Sequence, residues 1–204
     1  MIRIKSASAL AALPSAWHIS VDGWCPLAKK MVSPNFNARP EAADISLLVI
    51  HNISLPMGQF GGSQIVDLFQ NQLDCDSDAS FASLRDVKVS SHFLIRRDGT
   101  LLQFVSVLER AWHAGLSQFE GRSGCNDFSI GVELEGTDTS AFASAQYLTL
   151  TRLTQVLLAA FPIRHIVGHS DIAPDRKTDP GPCFDWFLYR QAIRRASAGV
   201  PPEA

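Results

Sequence analysis

Ile45-Ser46-Leu47-Leu48-Val49-Ile50-His51 is an apolar run, broken only by Ser46, that ends on a histidine. Continuous apolarity, without alternation, marks a strand covered on both faces, as in the sheets of α/β proteins. The run predicts a buried strand with His51 at its end. A second run, Phe128-Ser129-Ile130-Gly131-Val132-Glu133-Leu134-Glu135, is also rich in strand formers. By strand alternation Glu133 and Glu135 share one face, and Val132 and Leu134 share the other. Val89–Ile95 and Leu101–Val105 flank a segment containing Asp98-Gly99, a strong hairpin signal. His165-Ile166-Val167 predicts a further short strand.

Helical spacing of Ile65, Leu68 and Phe69 predicts a helix over about 63–72. Tyr147 to Phe161 carries one broad apolar face. Phe184 to Ala196 reads as a last helix, with Arg194 and Arg195 where the helix dipole favours cations. Prolines at 14, 26, 34 and 40 keep the first 45 residues irregular. Strands and helices alternate around one antiparallel hairpin. The expected fold is α/β, a single domain with a mixed central β-sheet flanked by helices.

The chain has 204 residues, 46% of them hydrophobic, enough for one sizeable core. A net charge of −2 gives no electrostatic case for nucleic acid or an anionic membrane. No apolar run is long enough to span a bilayer. Four cysteines form no CxxC pair, which fits free thiols and a cytoplasmic location. Residues 1–20 read as an N-terminal extension of unassigned role, 21–197 as the domain and 198–204 as a tail. The start of the extension resembles a weak signal peptide, its apolar part diluted by serine; an extra strand or a frayed tail is the alternative.

The stretch Gly168-His169-Ser170-Asp171-Ile172-Ala173-Pro174-Asp175-Arg176-Lys177-Thr178-Asp179-Pro180-Gly181 follows the strand at 165–167. It reads as a loop that concentrates an imidazole, an ammonium and a carboxylate. His51 and His169 stand at strand ends, where they can converge, and Asp179 can fold back toward them. Two histidines, a carboxylate and an open position suit a catalytic zinc ion with a bound water. The bland alternative for each histidine is a hydrogen-bonded structural residue. Glu133 is a carboxylate inside an apolar strand: a general base beside the metal, or a surface glutamate on an edge. Lys177 is an oxyanion stabiliser or a solvated loop lysine. Trp112-His113-Ala114-Gly115 lines a substrate groove or packs as a loop aromatic. His92 reads as a hydrogen bonder behind the site.

Taken in order, Leu48-Val49-Ile50-His51-Asn52, Val89–Ile95, Ala111–Gly115, Asn126–Gly136 and Gly168–Pro182 carry a resemblance. From about Val21 to Trp186 the chain resembles the zinc N-acetylmuramoyl-L-alanine amidases of the peptidoglycan-recognition-protein fold. Within them it resembles the branch that recycles 1,6-anhydro-muramyl peptides. The resemblance implies His51, His169 and Asp179 as zinc ligands, Glu133 as catalytic acid/base and Lys177 as oxyanion stabiliser. It implies hydrolysis of the amide joining muramic acid to L-alanine of the stem peptide, by a cytoplasmic monomer. It also implies substrate contacts at Asn52, Trp112, His113, Ala114, Lys88 and Arg122. Two positions depart from the branch, which often has arginines there: Lys88, which lacks the bidentate fork, and Gly124. The other readings are a secreted amidase of intact murein and a non-catalytic peptidoglycan binder.

Overall fold

The computed structural model describes residues 17–40 and 44–198. The signal-like segment and residues 199–204 of the expected tail lie outside the described residues. The end of the expected extension lies inside them: Trp17 and Ile19 pack against the main core.

In chain order the strands are β1 (Lys29–Lys30), β2 (Phe36–Asn37), β3 (Leu47–Ile53), β4 (Phe93–Ile95), β5 (Leu101–Gln103), β6 (Arg110–Ala111), β7 (Gln118–Phe119), β8 (Arg122–Ser123), β9 (Ser129–Glu135) and β10 (His165–Gly168). The α-helices are α1 (Gln64–Phe69), α2 (Ser144–Ala160), α3 (His169–Ile172) and α4 (Trp186–Ser197). Six strands form one mixed sheet in the order β1-β5-β4-β9-β3-β10. β3 pairs in parallel with both β9 and β10, β9 pairs in parallel with β4, and β4 and β5 form the antiparallel hairpin. β2 with β6 and β7 with β8 make two small ribbons.

The two central strands explain the architecture. Leu48 and Ile50 of β3 and Ile130, Val132 and Leu134 of β9 face α2 and α4, where they meet Leu150, Leu153, Leu157 and Tyr189. Each such side chain, taken fully out of water, contributes about 1.5–3 kcal/mol. Gln146, fully buried in the first turn of α2, bonds the carbonyls of Ile95 and Glu135 and so ties the helix to β4 and β9. The Tyr189 hydroxyl meets Thr154 at 2.5 Å, joining α4 to α2.

The opposite face has two smaller apolar clusters. One sets Leu94 and Phe104 against Ile65, Leu68 and Phe69 of α1. The other sets Leu47 and Val49 against Cys125, Phe128 and Ile172. Between them the strands present His51, Ser129, Gly131, Glu133 and Glu135.

Several expectations change in detail: the last helix begins at Trp186 rather than Phe184, and the hairpin strands are shorter than the runs at 89–95 and 101–105. α1 ends at Phe69, not at 72, because Asn71 takes a positive φ of 58° that a helix cannot continue through. α2 begins at Ser144, three residues before the expected start. The polar stretch after β10 opens with a one-turn helix, α3.

His92, immediately before β4, is fully buried behind the sheet's polar face. Its Nδ1 accepts the Gly131 N–H at 3.0 Å and its Nε2 lies 3.1 Å from the Glu109 carbonyl. Burial first, then the Arg39 charge, pushes its pKa from 6.5 down to about 3. The folded chain therefore keeps His92 neutral while the unfolded chain takes up a proton below pH 6.5. Stability from this group is complete above pH 6.5 and is lost as pH falls toward 3. His92→Asn retains an acceptor for Gly131 and removes the titration. We expect the parent to lose about 2 kcal/mol more stability than His92→Asn between pH 7 and pH 5, read by urea unfolding at both values.

Candidate active site

The parallel register of β3 and β9 sets His51 directly beside Glu133, and neighbours in a parallel pair project from the same face. β10 lies on the other side of β3 and delivers His169 at the start of α3. The chain then folds back. The Ser170 N–H donates to the Asp179 carbonyl at 2.9 Å, and a Cβ on Gly168 would stand 2.7 Å from the Pro180 ring. Only glycine permits that approach, which returns Asp179 to His169 across ten residues. Asn52 holds the far side, donating to the Pro180 carbonyl at 3.1 Å and to Asp138 at 2.7 Å.

His51 Nδ1, His169 Nδ1 and Asp179 Oδ2 then form a triangle with sides of 3.1, 3.0 and 3.2 Å. In a tetrahedral site with bonds of about 2.0–2.1 Å, neighbouring ligand atoms lie roughly 3.3 Å apart. His169 Nε2 sits 3.1 Å from the Ala114 carbonyl, which only accepts, so that nitrogen carries a proton and Nδ1 is the one turned to the triangle. Burial pushes the His51 pKa down to about 4, against the pull of Asp179, so the ring is neutral. Burial also raises Asp179, but the two imidazoles facing it outweigh this and hold its carboxyl well below the usual range. The two imidazole Nδ1 atoms and the Asp179 Oδ2 thus converge on one point, which a cation can occupy in place of a shared proton. The donor set fits a divalent metal with nitrogen and oxygen preferences.

Glu133 Oε1 lies 4.0 Å from His51 Nδ1, and Oε2 is buried with no partner among the described residues. Burial first, then the Asp179 charge, raises its pKa well above the usual value, while Lys177 opposes the rise. Glu135, on the same face, is fully engaged by the N–H groups of Gly61 and Arg97 and by Arg96. The alternation that joins the two glutamates thus gives one a structural bond set and leaves the other open. His51, Asn52, Trp112, His113, Glu133, His169, Lys177 and Asp179 line one cleft of about 200 Å³, together with Phe69, Val89 and Ser90.

Not every expected substrate contact comes to this cleft. Lys88 is exposed, one residue from Val89 at the rim. Ala114 is fully buried behind His169, so it is not part of the cleft wall. His113 lines the cleft, but both ring nitrogens are taken, by His51 and by Ser129. Arg122 pairs with Asp44, bonds Ser46 and stacks 3.8 Å over Phe128. Ser46 stands five residues before His51, roughly 16 Å along an extended strand, so Arg122 points to the opposite end of the sheet. Gly124 takes a left-handed φ of 73° beside a separate depression with Leu116 and Ser123.

The sequence reading missed Arg39. Its guanidinium donates to the carbonyls of Val107, Asn126, Asp127 and Ser129 and clamps the entry to β9. No local pattern marks it, because all four acceptors are backbone groups more than 60 residues away.

The chain matches the family model of N-acetylmuramoyl-L-alanine amidases over residues 41–182. It is 50% identical to the 1,6-anhydro-N-acetylmuramyl-L-alanine amidase AmpD of Escherichia coli, over 85% of this chain and 96% of that protein. A crystal structure of AmpD superposes with a TM-score of 0.83 at 49% identity, covering 84% of this chain and 97% of that one. The E. coli amidase AmiD, solved with anhydro-N-acetylmuramic acid-L-Ala-D-γ-Glu-L-Lys, gives a TM-score of 0.54 at 35% identity over 76% of this chain and 60% of that one. This mixed sheet with its histidine–carboxylate cleft is the amidase fold, and the chain belongs to the N-acetylmuramoyl-L-alanine amidase family.

Proposed function

We propose that the protein is a zinc-dependent amidase that cleaves the bond between 1,6-anhydro-N-acetylmuramic acid and L-alanine of the stem peptide, in peptidoglycan recycling. The observation that carries this reading is the triangle of His51, His169 and Asp179 with the unpartnered Glu133 carboxyl 4.0 Å away in the same cleft. The anhydro-sugar part draws on the AmpD relatives and on the ligand of the AmiD complex. A cytoplasmic monomer is the form that suits recycling of small fragments; four free cysteines support that location. No helix among the described residues is long and apolar enough to cross a membrane. The near-neutral charge favours neither nucleic acid nor an anionic membrane as a partner.

Zinc held by His51, His169 and Asp179 supplies a Lewis acid for the scissile carbonyl and lowers the pKa of the attacking water. Glu133 accepts the proton of that water at its open Oε2 and returns it to the leaving L-alanine nitrogen. Burial and the Asp179 charge make that carboxyl more basic than an ordinary glutamate, which favours its taking the proton. Lys177, on the cleft wall, supplies the ammonium that stabilises the oxyanion formed as the carbonyl is attacked. Asn52 keeps the Asp179–Pro180 corner in place and, with Trp112, flanks the bound substrate. Lys88 at the rim offers a cation to a stem-peptide carboxylate.

Metal analysis beside kinetics tests the assignments. Glu133→Gln should retain zinc and lose about 10²–10⁴-fold in turnover. Lys177→Ala should retain zinc and lose roughly 10²–10³-fold. His169→Ala should lose both zinc and activity. Loss of zinc from a folded Glu133→Gln protein refutes the role given to Glu133.

Mass spectrometry of products separates the substrates. Anhydro-muropeptides should be cleaved faster than intact murein, and a chelator should stop both reactions until zinc is restored. A preference for intact murein would move the protein out of the recycling role.

A further inference from the structure

Within Trp112-His113-Ala114-Gly115, Trp112 stays on the cleft wall while His113 and the Ala114 carbonyl reach the far nitrogens of the two triangle histidines. His113 Nδ1 lies 2.9 Å from His51 Nε2, and its Nε2 lies 3.1 Å from the Ser129 hydroxyl. The ring is buried and nests over Gly131 in mid-β9, where a Cβ would come within 2.5 Å of the imidazole. Glycine inside a strand marks this kind of close approach. The next residue serves the other histidine, since the Ala114 carbonyl faces His169 Nε2 at 3.1 Å. One side-chain oxygen pins both: Asn126 Oδ1 accepts the N–H of His113 at 3.0 Å and that of Ala114 at 2.8 Å.

We infer that His113 and the Ala114 carbonyl, fixed by Asn126, are the positioning element that makes both histidines present a bare Nδ1 to the metal. The inference rests on the zinc reading above and extends it one layer outward.

The chain Ser129–His113–His51 has two self-consistent settings. In one, the Ser129 hydroxyl donates to His113, His113 Nδ1–H donates to His51 Nε2, and His51 Nδ1–H donates to Asp179. In the other, every proton is reversed: His51 Nε2–H donates to His113, His113 Nε2–H donates to Ser129, and His51 Nδ1 is free to ligate. A serine hydroxyl serves as donor or acceptor, so it can end the chain in either setting; the second leaves His51 Nδ1 without a proton partner until a metal takes that place. The metal selects the second setting, and His113 supplies the acceptor that this setting requires. Hydrogen bonds of this kind hold ring orientation and tautomer at metal-bound histidines.

The test is zinc affinity, measured by chelator competition on the full chain, with the visible spectrum of the cobalt-substituted protein as a second readout. His113→Leu keeps the volume and removes the acceptor; zinc should bind about 10–100-fold more weakly and the cobalt bands should shift. His113→Asn, whose amide oxygen can stand where Nδ1 stood, should bind close to the parent. Equal affinity for parent and His113→Leu overturns the inference, as does an equal loss in both variants, which would mark a packing role. If His113→Leu does not fold, Ser129→Ala carries the test: a severalfold loss of zinc affinity with unchanged melting of the metal-free protein supports the inference, and parental affinity overturns it. A parent that binds no zinc overturns the metal reading and this inference together, whereas tight parental binding with no effect of His113→Leu overturns the inference alone.

Discussion

The site depends on the parallel pairing of β3 with β9, which places His51 and Glu133 side by side on one face. Both strands are apolar toward α2 and carry their polar groups on the other face. A slip of one residue would turn Glu133 and Glu135 into the leucines of α2, so the hydrophobic pattern fixes the register. The same core that stabilises the fold therefore sets the spacing between His51, a metal ligand candidate, and the Glu133 carboxyl beside it.

The remaining groups come from a chain that doubles back. β10 adds to the free edge of β3 and brings His169 to the same end of the sheet. The close contact of Gly168 with Pro180 and the bond from Ser170 to the Asp179 carbonyl then return Asp179 to the two histidines. Three metal-ligating atoms are held within 3.2 Å of one another, and the surrounding bonds keep them there. Asn52 holds the Pro180 side, and the Ala114 carbonyl holds His169. Such a site is preorganised for a cation, because the cost of assembling the ligands is met by folding.

Two carboxyls at one sheet end are driven in opposite directions. Asp179 faces two imidazoles and is held ionised, whereas Glu133 faces burial and the charge of Asp179 and is raised. Environments of this kind push neighbouring carboxyls apart, so that one stays an anion while the other holds its proton more tightly. Glu135 shows that the contrast is local: two residues along the same strand, its oxygens are occupied by backbone N–H groups and an arginine.

Much of this was legible in the chain as a chain. His51 and Glu133 stood out because each is a polar interruption of an apolar run, and Asp98-Gly99 marked the hairpin because few other pairs turn so tightly. The strands at 129–135 and 165–168 and the body of the helix from Tyr147 onward followed from residue type and spacing, whereas the first turn of that helix did not. The end of α1 did not, because a positive φ at Asn71 has no signature in hydrophobic pattern. Nor did the direction of Arg122, whose cationic side chain found Asp44 and Phe128 instead of the cleft. His113 read as a substrate contact because its partner His51 is 62 residues away. The sequence alone marked the candidate residues and the central segments of the sheet, since periodicity and residue type are local, but not the edge strand at Lys29–Lys30. Only the tertiary structure decided which histidines face the metal triangle and which stand behind it, because ring orientation is set by hydrogen bonds between segments that meet only when the sheet is assembled.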